Sequence, residues 1–471
     1  TGNCPDAQMA SRKPMGAQTT INKPRQIRRL KGRTKSASLK RVPAKSGLPV
    51  IAVLGLWHLG CVTAACCARN FQVVGLDFDR NVIAKLNTGK APLLEPGLDE
   101  LIQAGIASKN LTFTANPNTA CANADILWVC YDTQVNEADQ SDVEFVLANL
   151  RNALRHLSKN SLVLISSQLP VGTCAKLEKA YPQFSFAYSP ENLRLGRAIE
   201  SFEKADRVVV GVRGEAKKEL LTRLFAPFTR QLFFMRTESA EMVKHALNSF
   251  LALSITFINE IARLCEHVGA DAKEVAAGLK SEPRIGPRAY LGPGGPFAGG
   301  TLARDVVSLT QLAETLGETL SVIPAIKQSN DVHRGWAFSR LQYGLGDLKG
   351  RKVGILGLTY TTHTDTLRRS AAVELCRQLT DAGARVTAFD PAINVLPAAL
   401  QSVFLAGSIA EVLTDADGVV VCTEWPQFRQ ADWPRIVKQM RDKIFVDANR
   451  FLENELKGIE GVKLFSVGRP Q

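Results

Sequence analysis

The sequence predicts an α/β protein with two Rossmann-like, doubly wound domains joined by a connector of long helices. Three observations predict it. Short β-branched apolar runs alternate with helical stretches from residue 49 onward. Residues 239–280 then read as long helices with few breakers, and strand–helix alternation restarts at Lys352. A chain of 471 residues is too long for one core. The expected divisions are a tail at 1–48, a first Rossmann domain at 49–238, a helical connector at 239–346 and a second Rossmann-like domain at 347–471.

Each element has a local reason. Pro49–Leu54 is a β-branched apolar run, Cys61–Arg69 is a helix of small residues, and Gln72–Leu76 is the next strand. Asn81–Asn87 begins a helix. Ile126–Cys130, Ser161–Ser166 and Arg207–Val212 read as strands, with helices such as Val143–Leu157 between them. This spacing predicts a parallel sheet covered on both faces. In the connector, Ala240–Ile258 continues to His267, and a Gly-Ala-Asp start signal opens the helix Asp271–Leu279. A Gly/Pro-rich loop, Pro283–Gly300, precedes a helical stretch over about Ala303–Tyr343. The second sheet is expected from Lys352–Leu356, Arg385–Phe389, Gly418–Cys422 and Lys443–Val446.

The net charge of +13 is not spread over the molecule. Residues 1–48 hold twelve Lys or Arg against one acid, Asp6, and the remainder is nearly neutral. The tail lacks apolar periodicity and is expected to be disordered. It reads either as a solvated leader, with Met9 and Met15 as alternative starts, or as a contact for an acidic surface or nucleic acid. Nucleic acid is not expected to bind the folded body. No apolar run approaches the roughly 18 residues that span a membrane, and nothing reads as a secretory signal. Ten scattered cysteines without metal spacing suit a reducing cytoplasm, and no metal site is expected.

The first βα turn is chemically specific. Ile51-Ala-Val-Leu-Gly55-Leu-Trp57-His58-Leu-Gly60 is a strand entering a helix. A dinucleotide fingerprint has a middle glycine where Trp57 stands, so that the backbone can approach the pyrophosphate. Gly55 and Gly60 alone are a weak signal. Asp77 strengthens it, because it ends the next strand where an acid binds the adenine ribose and favours NAD over NADP. Trp57 must swing aside or stack on the cofactor. The alternative is a βαβ unit without a ligand.

Further segments carry a resemblance. They are Asp77-Phe-Asp-Arg-Asn with Leu86-Asn-Thr-Gly-Lys-Ala-Pro92-Leu-Leu-Glu95-Pro96-Gly97; Ser189-Pro-Glu191-Asn-Leu193-Arg-Leu-Gly196; Ala240-Glu-Met-Val-Lys244-His-Ala-Leu-Asn248 with Asn259-Glu-Ile-Ala262; and Gly357-Leu-Thr-Tyr-Thr-Thr-His-Thr364-Asp365-Thr-Leu-Arg368. In this order they resemble the UDP-glucose/GDP-mannose dehydrogenase family. The resemblance implies NAD-dependent oxidation of a nucleotide sugar, at C6 of UDP-glucose or a related UDP-hexose, for polysaccharide precursor synthesis in the cytoplasm. It also implies an NAD-binding first domain, a homodimer built through residues 239–280, and a last domain that binds the nucleotide sugar.

Lys244 and Asn248 are four apart and share one helix face. A lysine beside an asparagine can polarise an alkoxide and orient water. Glu191 sits in a loop after a strand, a usual place for an acid/base. Asp305 could hold Lys244 or a water. The resemblance makes Lys244 and Asn248 oxyanion stabilisers, and Glu191 and Asp305 managers of protons and water. It assigns Gly55, Trp57, Gly60, Asp77, Thr133 and Arg368 to the cofactor. It assigns Leu193, Arg194, Arg284, Gly299, Gly300 and Arg450 to the substrate, with Arg284 reaching across a dimer. For each arginine the alternative is a surface salt bridge.

One departure matters most. The family reads Gly-Gly-Ser-Cys-x-Pro-Lys-Asp where this chain has Gly299-Gly300-Thr301-Leu302-Ala303-Arg304-Asp305, one residue shorter and without the cysteine. In relatives that thiol captures the aldehyde and carries the second oxidation through a thioester. Leu302 cannot do this, Thr301 is a poor nucleophile, and Cys174 lies in another loop. Gln168 also stands for a threonine, Gln134 for a proline and Thr361 for a lysine. Three readings follow: a dehydrogenase that still makes the acid through the aldehyde hydrate, an enzyme of one oxidation or of epimerisation, and a non-catalytic nucleotide-sugar binder.

Overall fold

The computed structural model describes residues 48–133, 136, 139–191, 193–298 and 300–470. The expectations for residues 1–47, Gln134 and Gly299 lie outside the described residues.

The first sheet holds eight strands: β1 (Val50–Leu54), β2 (Gln72–Leu76), β3 (Leu111–Thr114), β4 (Ile126–Val129), β5 (Leu162–Ile165), β6 (Ser185–Tyr188), β7 (Val208–Val212) and β8 (Leu232–Met235). Their spatial order is β3-β2-β1-β4-β5-β6-β7-β8. The order reverses between β1 and β4, which opens a crevice at the carboxyl ends of these strands. β4 and β5 are buried at every position, which is why they read as unbroken apolar runs. Leu86, Leu98, Ile102, Leu221 and Leu224 cover one face of the sheet, and Val146, Leu150, Leu154 and Leu177 cover the other.

The sheet is not wholly parallel. β7 runs antiparallel to β6, with Ala187 opposite Val212. The one helix between them, Ala198–Glu203, has six residues. Such a helix advances the chain only about 9 Å, too little for the full return that a parallel crossover needs.

The second sheet holds β9 (Lys352–Leu356), β10 (Arg385–Phe389), β11 (Phe404–Leu405), β12 (Gly418–Val421), β13 (Ile444–Asp447) and β14 (Lys463–Phe465). Its order is β11-β10-β9-β12-β13-β14, and every pair is parallel.

Between the sheets runs the central helix, Thr237–Val268, which ends at Gly269 in the left-handed conformation (φ +76°). It begins at Thr237, two residues before the expected start of the connector at residue 239, directly after β8. The stretch expected over about Ala303–Tyr343 is three helices: Leu302–Leu316, Val322–Arg334 and Trp336–Leu345. Gly317, at φ +72°, closes the first of them. The first two pack along the central helix and carry Asp305 to it.

Candidate active site

The crevice at β1 and β4 is shaped for a dinucleotide. Gly55 turns the chain at φ +92°, and a Cβ there would stand 2.6 Å from the Tyr131 ring. A Cβ on Gly60 would stand 1.7 Å from the Gly55 carbonyl oxygen. Both positions therefore require glycine. Trp57 precedes the helix His58–Cys67, makes no side-chain cap bond, and is 43% exposed at the mouth. A helix N-terminus without a side-chain cap at the mouth of such a crevice is a usual seat for a pyrophosphate. Asp77 at the tip of β2 braces the turn by accepting the Leu56 amide at 2.7 Å and the Asp79 amide at 3.0 Å. Each of its oxygens keeps acceptor capacity for a ribose hydroxyl.

Asp132, just after β4, accepts the Leu59 amide at the same helix terminus. Burial pushes its carboxyl above the ordinary value, with Glu191 adding to the effect against the pull of His58 and Arg304. His58 Nε2 lies 2.9 Å from the buried Glu95, which also accepts the Gly196 and Ala198 amides at 2.9 Å. Burial alone would raise the Glu95 carboxyl, but these three partners outweigh it and hold it below its ordinary value. Glu95 thereby ties the segment before Gly97 to the loop that carries Glu191.

Lys244 and Asn248 lie one turn apart on the central helix, both 4% exposed. Lys244 Nζ donates to the Glu191 carbonyl at 2.6 Å and stands 3.5 Å from Glu191 Oε1. Glu191 Oε2 accepts the Leu193 amide at 2.8 Å. Burial pushes the Glu191 carboxyl up, but Lys244, the Leu193 amide, Arg304 and His58 together hold it below its ordinary value. It is therefore a carboxylate with a cation beside it.

Asp305 is completely buried in the first turn of the helix Leu302–Leu316. It does not hold Lys244, because Glu191 already does. Asp305 Oδ2 accepts Asn248 Nδ2 at 2.5 Å, and Oδ1 accepts Gln168 Nε2. His245 Nδ1 lies 2.7 Å from the same Oδ1. Arg304 donates to the Thr133 carbonyl at 3.0 Å and to Gln168 Oε1. Thr133 Oγ1 donates to the Gln168 carbonyl at 2.7 Å, so its hydroxyl hydrogen is spent inside the protein.

The substrate candidates divide. The Gly300 amide, at φ +100°, donates to Asp139 Oδ1 at 3.0 Å. Arg369 Nη1 stands 3.5 Å from that oxygen. Arg368, a cofactor candidate, is exposed, and it is its neighbour Arg369 that meets the glycine loop. Leu193 packs against the core below Glu191, and Arg194 is exposed. The Arg284 side chain is 88% exposed and pairs with Glu282 at 2.9 Å, apart from the cluster. Arg450 is not presented to a ligand. It is buried, with both guanidinium arms on Asp271 at 2.6 and 2.9 Å, and it fastens the last domain to the helix Ala272–Ser281.

No cysteine lies in the 300–305 loop. Leu302 packs beside Ala252, Phe297 and Val306, and Thr301 bonds Tyr360. Cys174 is fully buried, and burial, with Glu241 beside it, drives its thiol well above the ordinary value. It is no substitute nucleophile. Among the described residues no His, Cys, Asp and Glu cluster could hold a metal, and no helix is long and apolar enough to cross a membrane.

His245, Arg304, Asp132 and Asp139 were not singled out from the sequence. His245 and Arg304 stand next to Lys244 and Asp305 in the chain. Helix neighbours diverge by about 100° around the axis, so proximity to a motif does not say which way they face.

Models of the UDP-glucose/GDP-mannose dehydrogenase family match along the chain: the NAD binding domain at residues 50–229, the central domain at 238–332 and the UDP binding domain at 354–454. The chain is 33% identical over 437 residues to UDP-glucose 6-dehydrogenase of Rhizobium meliloti, covering 89% of this chain and 99% of that one. It is 31% identical to UDP-glucose 6-dehydrogenase TuaD of Bacillus subtilis, covering 89% and 93%. A solved UDP-glucose dehydrogenase from Pyrobaculum islandicum matches with a TM-score of 0.81 at 31% identity, over 91% of this chain and 100% of that one.

Proposed function

The chain belongs to the UDP-glucose/GDP-mannose dehydrogenase family, and we propose that it oxidises the C6 hydroxyl of UDP-glucose, or of a related UDP-hexose, to the acid. The class is that of an NAD-dependent nucleotide-sugar dehydrogenase. The observation that carries the reading is that one face of the central helix brings Lys244 to Glu191 and, one turn on, Asn248 to the buried Asp305.

The cofactor fits the crevice, since the Gly55 turn, the helix N-terminus that Trp57 leaves without a side-chain cap, and Asp77 are the features a dinucleotide uses. NAD, when bound, accepts hydride from C6. The residues manage charge and protons. Lys244 is a buried ammonium that stabilises negative charge on the C6 oxygen as the hydroxyl loses its proton. Asp305 Oδ2 retains one open acceptor position and can take that proton through a water. Glu191, held ionised, accepts a proton from the water that adds to the aldehyde carbon. That addition gives the hydrate, whose loss of a second hydride and of protons leaves the carboxylate. The balance is one alcohol, one water and two NAD⁺ giving one carboxylate, two NADH and three protons. No thiol enters it.

A second reading is favoured by Leu302. An apolar side chain stands where relatives carry the nucleophile, and release of the aldehyde after one hydride would follow if hydrate formation is slow.

The first test is Lys244→Ala. Loss of a preorganised charge donor lowers kcat by about a hundredfold to a thousandfold. Unchanged turnover in a folded variant would remove Lys244 from the chemistry.

A further inference from the structure

We propose that His245 is a positioning residue of the oxidation, fixing Asp305 and through it the orientation of Asn248. The inference rests on the dehydrogenase reading of the pocket. His245 follows Lys244 on the central helix and is 3% exposed. Its Nε2 lies 3.1 Å from the Leu169 carbonyl oxygen. A carbonyl oxygen only accepts, so Nε2 carries hydrogen. Its Nδ1 lies 2.7 Å from Asp305 Oδ1, a contact that needs one proton between the two atoms.

The orientation of Gln168 is fixed independently. Arg304 can only donate, so Gln168 turns Oε1 to Arg304 and its amide nitrogen to Asp305. Asp305 Oδ1 is thereby engaged by Gln168 and His245, and Oδ2 accepts Asn248 Nδ2. Asn248 consequently turns its own Oδ1 away from Asp305.

A chain of contacts runs from Leu169 through His245 and Asp305 to Asn248. Asp305 is fully buried, and a buried carboxylate needs pairing or several donors. Among the described residues its other two hydrogen-bonding partners are amides, and His245 is the ionisable one. Without His245 the carboxyl has less reason to stay an acceptor on both oxygens. The Asn248 amide would then be free to turn over.

The test compares His245→Leu with His245→Asn, using UDP-glucose and NAD. Asparagine keeps a donor near the Nδ1 position, and leucine keeps none. The leucine variant is expected to lose kcat by about tenfold to a hundredfold, as misplaced catalytic groups do, with KM for NAD unchanged. The asparagine variant is expected to recover most of the loss. Wild-type kcat in the leucine variant, or equal loss in both, would overturn the proposal. Should leucine fail to fold, His245→Gln replaces it, because its longer amide overshoots the Nδ1 position and is expected to be slow. A readout without turnover is proton NMR. A downfield imidazole N–H resonance, protected from exchange, should be present in the wild type and absent in His245→Asn and in Asp305→Asn. Its absence from the wild type would overturn the inference. If the wild type forms no NADH with any UDP-hexose, the dehydrogenase reading fails, and the resonance still decides whether the pair exists.

Discussion

The Asp132 carboxyl shares the terminus of the helix His58–Cys67 with the expected pyrophosphate seat. Burial holds it above its ordinary value, so it ionises late as pH rises. The folded protein binds this proton more tightly than the unfolded chain. Its contribution to stability is therefore present below the unfolded value and lost as pH rises through the folded one. The same ionisation places a negative charge beside a diphosphate. KM for NAD is expected to rise across that pH range and to become flat in Asp132→Asn. An unaltered pH dependence in the variant would clear Asp132 of this role. At Gly60, an alanine Cβ would stand 1.7 Å from the Gly55 carbonyl oxygen, so Gly60→Ala is expected to abolish NAD binding or the fold around it, read by cofactor titration and melting. Gly55, Gly60, Glu191, Lys244, Asn248 and Asp305 were legible in the sequence, because each sits in a spacing that backbone geometry or resemblance makes specific. Asp132 and His245 were not, because their roles depend on what faces them across the crevice.

At the scale of elements, the Gly/Pro loop before Gly300 is held by side chains from three separate places. Gly294 donates to Asn259 Oδ1 at 3.0 Å, Gly295 to Asn449 Oδ1 at 2.8 Å and Phe297 to Asn330 Oδ1 at 3.0 Å. His333 Nε2 bonds the Gly294 carbonyl at 2.8 Å, so the neutral ring suffices as donor. The central helix, the helix Val322–Arg334 and the last domain thus fix one loop. Burial lowers His333 from 6.5 to about 4. The neutral form is favoured in the fold, so its stabilisation is complete above pH 6.5 and is lost as pH falls toward about 4. The loss amounts to about 3 kcal/mol. His333→Gln, which keeps a donor, should remove that part of the acid sensitivity in denaturation measured at several pH values. Persistence of the full sensitivity would assign it elsewhere. The strands named from the sequence were placed within a residue or so, since buried parallel strands are short apolar runs between breakers, whereas β3, β6, β8, β11 and β14, none longer than four residues, were not singled out. The antiparallel β7 was not, because direction is decided by the short Ala198–Glu203 crossover rather than by the strand's own residues.

For the molecule as a whole, both doubly wound sheets were legible from the alternation of strands and helices. The fastening between domains was not. Arg450 on Asp271 and Asn449 on Gly295 are pairings between residues far apart in the chain, and composition carries no trace of them. The central helix exposes Phe250, Phe257 and Leu264 at seven-residue spacing, at 65%, 45% and 62%. A stripe of this kind on a long helix supports the proposed homodimer. Phe257→Glu with Leu264→Glu is expected to give monomers by light scattering. If Arg284 acts across the dimer, these monomers should also show a raised KM for the sugar. A wild type that is monomeric at all concentrations would end that reading. The most direct test of the whole account is the NADH formed per UDP-glucose, with sugar limiting and NAD in excess. Oxidation to the acid without a thiol predicts two NADH per sugar, unaffected by a cysteine-alkylating reagent. One NADH per sugar, with free aldehyde accumulating, would contradict it.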